Sequence, residues 1–250
     1  MQNYQAPAEL LNDKIILVTG AGEGIGRMVA INYAKHGATV ILLDKDLKKI
    51  ESVYDEIESA GYPEAALLPV DLEKADADAY AQITDVLTKE FGRLDGLVHN
   101  AAVFKLLSRI DDYDVKTWLE VMQVNLNAPF ILTQECLPLL RNADNASIIF
   151  VSDSNGRKAK AYWGAYAASK AGLEALMQTL AEELDNSQIR SNSIDPGRTR
   201  TSMRHLAYPG EDRADQKPVD DLAAIFLWLM GDESRDVNGQ QLTYEEPVNL

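Results

Sequence analysis

Cysteine is nearly missing from this chain: Cys136 is the only one in 250 residues. That excludes an intramolecular disulfide and a thiolate metal cluster, and it fits a reducing compartment. Cys136 lies in an apolar helical stretch, where a packing residue belongs. Positive charge is scarce as well. Lys and Arg number 24 against 39 Asp and Glu, for a formal net charge of −15. Such a surface repels nucleic acid and anionic membranes, and there is no basic patch interleaved with aromatics. The three histidines, His36, His99 and His205, have no metal-ligand spacing, so no metal site is expected. No apolar run reaches the ~18 residues needed to span a bilayer. The segment Met1 to Asn12 lacks the basic and apolar regions of a secretory signal. The expectation is a soluble, cytoplasmic protein with a small-molecule substrate. Repeats, low-complexity tracts and a dividing linker are also absent. That leaves one domain over residues 1–250, with residues 1–12 as an N-terminal extension.

What is present is alternation. Hydrophobic residues make up 46% of the chain. Short β-rich runs occur at Lys14–Thr19, Thr39–Leu43, Ala66–Val70, Gly96–Asn100, Ser147–Val151 and Ile189–Ile194, several nearly all apolar. Strands covered on both faces look like this. Helical patterns fall between them, at Ile25–His36, Leu47–Ala60, Ala75–Phe91, Trp118–Leu140 and Ala165–Leu184. A last helix at Val219–Met230 and a short strand at Gln241–Thr243 follow. Strand then helix, repeated, predicts a Rossmann-like α/β fold. Its parallel sheet of about seven strands is doubly wound, with helices on both faces and a ligand at the strands' carboxyl ends. Residues 196–218 carry Pro, Gly and charge with little periodicity, and are read as a substrate loop.

The Gly-rich turn Thr19-Gly20-Ala21-Gly22-Glu23-Gly24-Ile25-Gly26 joins the first strand to the first helix. Glycines there let backbone N–H groups approach a pyrophosphate at a helix N-terminus. Asp44 ends the second strand, 18 residues after Gly26. A carboxylate there takes both ribose hydroxyls and repels a 2′-phosphate, although a place near the next helix N-cap is the alternative. Glu23 adds negative charge and Lys45 opposes it, so NAD is favoured over NADP. Asp71, followed by Leu72, ends the third strand, where it meets an adenine ring or simply makes a turn.

Tyr166 and Lys170 are four residues apart in a helical pattern and so share a face. A cation beside a phenol lowers the tyrosine pKa and makes a proton-transfer group for an alcohol or a carbonyl. Taken alone, the spacing equally describes an ordinary surface pair.

Together these features resemble the classical short-chain dehydrogenase/reductase family over about Asn12–Thr243. The Gly-rich turn has the family's form. His99-Asn100-Ala101-Ala102 is similar to its Asn-Asn-Ala-Gly motif, Asn125 matches its active-site asparagine, and Tyr166 with Lys170 matches its catalytic pair. Pro196-Gly197, with Thr199 and Thr201, resembles its nicotinamide-contacting segment. The stretches Trp163–Lys170 and Trp228–Asp232 also resemble a small bacterial subgroup of uncharacterised oxidoreductases. The resemblance implies hydride transfer to or from a nicotinamide, with Tyr166 exchanging a proton with the substrate oxygen. It implies that Lys170 holds the nicotinamide ribose and lowers the tyrosine pKa, and that Asn125 positions a water. It further implies a homodimer or homotetramer through Asn125–Leu140 and Ala165–Leu184.

One position departs from the pattern. The family's catalytic serine stands 13 residues before the tyrosine, and here that residue is Asp153. An ionised carboxylate has no proton to donate. Beside a phenolate about 4 Å away it costs on the order of 4 kcal/mol. Three readings follow. Asp153 is protonated when buried, or Ser152 or Ser154 supplies the hydroxyl through a kink after the fifth strand, or the protein is a catalytically impaired dinucleotide-binding scaffold or sensor. Ala102, in place of the usual glycine, is a milder change. In the substrate loop, Arg198, Arg200, Arg204 and His205 either receive an acidic group or form a solvated face, and Met203, Tyr208 and Trp163 line an apolar pocket. Asp111, Asp112 and Asp114 read as a helix start.

Overall fold

The computed structural model describes residues 4–244. Seven strands form one sheet: β1 Ile15–Thr19, β2 Thr39–Asp44, β3 Ala66–Pro69, β4 Gly96–His99, β5 Ala146–Val151, β6 Ile189–Asp195 and β7 Gln241–Thr243. Their order is β3-β2-β1-β4-β5-β6-β7, and every neighbouring pair is parallel. The chain winds outward in both directions from β1 and β4. Connections therefore leave opposite faces there, and a crevice opens beyond the strands' carboxyl ends.

Side chains of β1 alternate between two cores, as the strand period requires. Ile16 and Val18 join Tyr33, Phe226 and Trp228 on one face. Leu17 joins Tyr80, Cys136 and Met177 on the other. The fully buried Cys136 is thus a packing residue.

The helices are α1 Gly24–Lys35, α2 Leu47–Ser59, α3 Ala77–Glu90, α4 Val115–Met122, α5 Ala128–Leu140, α6 Ser154–Arg157, α7 Gly164–Glu183, α8 Ser202–Ala207 and α9 Ala223–Met230. Asp46, Asp76 and Asp114 cap α2, α3 and α4 by accepting backbone N–H bonds. Three expectations need correction. The single helix expected over Trp118–Leu140 begins at Val115 and is divided into α4 and α5 by a π-helical turn at Gln123–Asn127. The first four residues of the expected Val219–Met230 helix form a 3-10 turn. The loop 196–218 contains α8, capped by Thr201, and a 3-10 turn at Arg213–Asp215. Six residues are too few to show a helical period in a sequence. Among the described residues no helix is long and apolar enough to cross a membrane.

Candidate active site

The Gly-rich turn is stitched to the end of β4. Thr19 Oγ1 donates to the Val98 carbonyl at 3.1 Å and accepts the N–H groups of Asn100 and Ala101, both at 3.0 Å. Asn100 Nδ2 donates to the carbonyls of Thr19 and Gly20. Gly20 and Gly24 have φ of +65° and +56°, where a side chain is strained. A Cβ at Gly26 would collide with the Gly20 carbonyl oxygen. Glu23 stands at the N-cap of α1 without a side-chain cap bond, so the first turn of α1 keeps backbone donors for an anion.

At the end of β2, Asp44 accepts the Gly22 N–H on Oδ2 at 3.1 Å and the Asp46 N–H on Oδ1 at 3.0 Å. Both oxygens are therefore fixed at the crevice. Glu23 does not act as a second free negative charge, because Lys49 pairs with it at 2.7 Å. Asp71 is partly buried, which pushes its pKa up, but the Lys74 ammonium at 3.0 Å and the Glu73 N–H outweigh that and hold it below the ordinary value.

Tyr166 and Lys170 lie on one face of α7, with Lys170 Nζ 5.8 Å from the phenol ring centroid. Lys170 is buried and donates to the Val151 carbonyl at 2.7 Å. Burial pulls its pKa down to about 8 against the opposing pull of Asp153, Glu174 and Asp195. The Tyr166 phenol departs from expectation. Burial, then the charges of Asp153 and Asp195, push its pKa well above the ordinary value. Lys170 is turned toward a carbonyl, and the phenol is buried among Phe104, Trp163 and Met203, with Asp153 and Asp195 adding to the shift.

Asp153 borders the cleft with Tyr166, whose hydroxyl points at Met203 Sδ 4.0 Å away. It also caps α6, its Oδ1 accepting from the Asn155 N–H and from Asn155 Nδ2, each at 2.7 Å. The flanking serines go opposite ways. Ser154 is exposed at the start of α6, whereas Ser152 is buried and its Oγ has no hydrogen-bond partner among the described residues. Asn125 sits in the π-helical turn, a common setting for functional side chains. It accepts the Val103 N–H at 2.8 Å and donates to the Val103 carbonyl and to Ser169 Oγ.

Most of these groups border one cleft of about 310 Å³. Gly20, Glu23, Gly24, Ile25, Asp44, Lys45, Asp71, Leu72, Asn100, Ala101, Ala102, Asp153, Tyr166, Lys170, Pro196, Gly197, Thr199 and Thr201 all line it. Gly22, Gly26 and Asn125 do not line it and shape its walls from behind. Trp163, Met203 and Tyr208 are in the lining as expected, together with Phe104, which has no motif around it. Asp195 also went unnoticed in the sequence, although it directly precedes Pro196-Gly197. Two of the loop cations are engaged within the loop. Arg204 holds Glu211 through two bonds of 2.6 and 2.7 Å and stacks on the Tyr208 ring, and Arg200 donates to the carbonyls of Arg213 and Gln216. These bonds brace the loop, while Arg204 also lines the cleft and Arg198 and His205 are exposed.

A sequence model of the family described as short chain dehydrogenase matches residues 14–212. The chain belongs to this family. Among short chain dehydrogenase relatives, the uncharacterised oxidoreductase YciK of Escherichia coli K12 is 44% identical over 237 residues, spanning 95% of this chain and 94% of that protein. A Shigella flexneri chain assigned as a short chain dehydrogenase and complexed with NADP superposes with a TM-score of 0.93 at 42% identity, over 96% of this chain and 100% of that one. An Escherichia coli CFT073 chain of the same assignment, complexed with NADPH, has the same identity, coverage and TM-score. The family binds a nicotinamide dinucleotide, and this short chain dehydrogenase has the Rossmann-like sheet to do so.

Proposed function

We propose that this short chain dehydrogenase is an NAD(P)(H)-dependent oxidoreductase that interconverts an alcohol and a carbonyl. The observation that carries this reading is the meeting of Tyr166, Lys170 and the Gly-rich turn on one cleft. The nicotinamide dinucleotide supplies or accepts the hydride when bound.

The cradle fits that group. Gly20, Gly22, Glu23, Gly24, Ile25 and Gly26 bring backbone N–H groups and the α1 N-terminus to a pyrophosphate. Asp44 and Lys45 take the adenosine ribose, Asp71 and Leu72 border the adenine, and Asn100, Ala101 and Ala102 form the floor. Pro196, Gly197, Thr199 and Thr201 hold the nicotinamide end, with Lys170 on its ribose. Asp44 argues for NAD. The complexes of the two relatives and the Glu23–Lys49 pair argue for NADP. Asp44 is the residue that decides between them. The apolar side chains of Val115, Leu119 and Phe130 are exposed on α4 and α5, and support a homo-oligomer through this side of the molecule.

Tyr166 is the proton donor in the reductive direction. A phenol held well above its ordinary pKa keeps its proton at neutral pH. Asn125 fixes the Val103 backbone beside the cleft. Tyr166→Phe is expected to lower turnover by about 10²–10⁴-fold with dinucleotide affinity unchanged. Equal turnover in the variant would sink the proposal. A second reading, an impaired dinucleotide-binding scaffold, draws on Asp153 beside Tyr166. It is favoured if the wild type binds the dinucleotide without turnover on any substrate and Asp153→Ser restores activity.

A further inference from the structure

The end of β6 carries a buried carboxylate that no motif announces, Asp195. Side chains alternate along a strand, so Ser193 and Asp195 share one face of β6. Ser193 Oγ donates to Glu174 Oε2 of α7 at 2.5 Å. Asp195 therefore stands on the α7 side of the sheet, nearer the strand's carboxyl end. On the neighbouring strand Val151 pairs with Ile194, and the Val151 carbonyl accepts from Lys170 Nζ at 2.7 Å. Adjacent strands lie only about 4.8 Å apart. The buried ammonium of Lys170 and the buried carboxylate of Asp195 are thus neighbours across the ends of β5 and β6.

Each element packed on this pair brings its own groups. Asp153 and Arg157 come from the α6 end, Glu174 from α7 and Lys217 from the base of the substrate loop. Arg157 and Glu174 hold each other at 2.9 Å, Lys217 Nζ lies over the Tyr244 ring at 4.3 Å, and Arg204 is bound to Glu211. His99 on β4 also faces Lys170, but burial and then the ammonium pull its pKa down to about 3, so it is neutral. On its outer side the Tyr166 phenol meets an aromatic wall. Phe104 and Trp163 lie at centroid distances of 5.8 and 5.5 Å, with Tyr208 beyond Trp163. Phe and Trp bring no charge, so Lys170 is left facing Asp153 and Asp195.

A buried ammonium loses its hydration and with it part of its hold on the proton; a carboxylate beside it restores that hold. Asp195 is fixed for this task. Its Oδ1 accepts the Gly197 N–H at 2.8 Å, and its backbone carbonyl accepts the Tyr244 N–H at 3.1 Å. Gly197 has φ of +64°, so the same carboxylate secures the turn that opens the Pro196–Thr201 segment. We infer that Asp195 is a positioning residue of this site: it is the counter-charge that keeps Lys170 protonated beside Tyr166, and it anchors the Gly197 turn. The inference rests on the reading that Tyr166 and Lys170 serve a nicotinamide-dependent oxidoreductase. The charge of Asp195, after burial and Asp153, also helps to keep the proton on Tyr166. Both groups are thereby held protonated, the state from which a carbonyl is reduced. Alcohol oxidation starts from the phenolate and is displaced to alkaline pH.

The test follows urea stability from about pH 6 to about pH 10 in wild type, Asp195→Asn, Lys170→Met and the double variant. Asparagine keeps an acceptor for the Gly197 N–H and removes the charge. In the wild type, stability is expected to rise with pH from about 8 upward, where folded Lys170 loses its proton and the unfolded chain still holds it. Without the Asp195 charge Lys170 releases its proton sooner, so the rise in Asp195→Asn is expected to begin about one pH unit lower. In the Lys170→Met background, Asp195→Asn is expected to change the midpoint equally at every pH. A merely structural Asp195 would give that uniform change in both backgrounds. An onset that does not move in Asp195→Asn, or one that moves just as far without Lys170, overturns the inference. Asp195→Ser, whose hydroxyl also accepts the Gly197 N–H, repeats the comparison, and loss of the fold in both variants across the whole range overturns it as well. Calorimetry of wild type with NADPH and with NADH is run separately. Failure to bind either overturns the oxidoreductase reading and leaves the pairing of Asp195 with Lys170 standing.

Discussion

Glu174 holds Arg157 in an ion pair one helical turn beyond Lys170. Arg157 Nε lies 2.9 Å from Glu174 Oε1, with the two side chains 21% and 6% exposed. Arg157 also donates to Thr243 Oγ1 at 2.8 Å and to the Leu242 carbonyl at 2.9 Å, and Ser193 donates to Glu174. The network ties α6 and α7 to β6 and β7. It therefore sets the distance between Asp153, which caps α6, and the Tyr166–Lys170 face of α7. Gly156 allows this approach, since a Cβ there would fall 2.8 Å from the Lys170 backbone.

Removing one partner leaves a buried charge uncompensated. Glu174→Gln is expected to destabilise the fold by about 3 kcal/mol, read as a lower urea midpoint at unchanged m-value. A variant that unfolds at the wild-type midpoint would show that the pair is not energetically coupled to the fold.

Lys170 makes stability depend on pH in a defined window. Burial lowers its pKa to about 8 in the folded protein from the ordinary lysine value of 10.5. Between those values the unfolded chain binds the extra proton, so stability rises with pH there. The contribution is fully present above the unfolded value and is lost as pH falls through about 8. Denaturation of wild type and Lys170→Met from pH 7 to pH 10 checks this. The rise is expected in the wild type and should flatten in the variant, and parallel curves would contradict the assignment.

Asp44 is expected to set dinucleotide choice. Its carboxylate is fixed by the Gly22 and Asp46 N–H groups at the ribose end of the cleft. Asp44→Ser removes a negative charge from beside a 2′-phosphate, and is expected to tighten NADPH binding by about tenfold or more without tightening NADH. Titration calorimetry with both dinucleotides decides it, and equal effects on the two would place the 2′-position elsewhere.

Much of this molecule is legible from local pattern. Strands such as Ile15–Thr19, Thr39–Asp44 and Ala146–Val151 are largely apolar runs, and α1, α2, α3 and α7 have a helical period, so their bounds follow within two residues. The Gly-rich turn is legible because its function is a backbone conformation, visible in the φ of Gly20 and Gly24. Tyr166 and Lys170 share a face because a four-residue spacing on a helix requires it. Through-space pairings are a different matter. Nothing near Glu23 in the chain announces Lys49 as its partner, nor does Arg204 announce Glu211 or Tyr166 announce Asp195. The π-helical turn that carries Asn125 interrupts an unbroken apolar pattern. The sequence by itself determined the order of elements, the parallel sheet and the positions of the chemistry-bearing residues, because these depend on neighbours in the chain. Only the tertiary structure decided the charge around Tyr166, the engagement of the loop arginines and the aromatic wall. Each of these depends on burial and on distances between groups far apart along the chain.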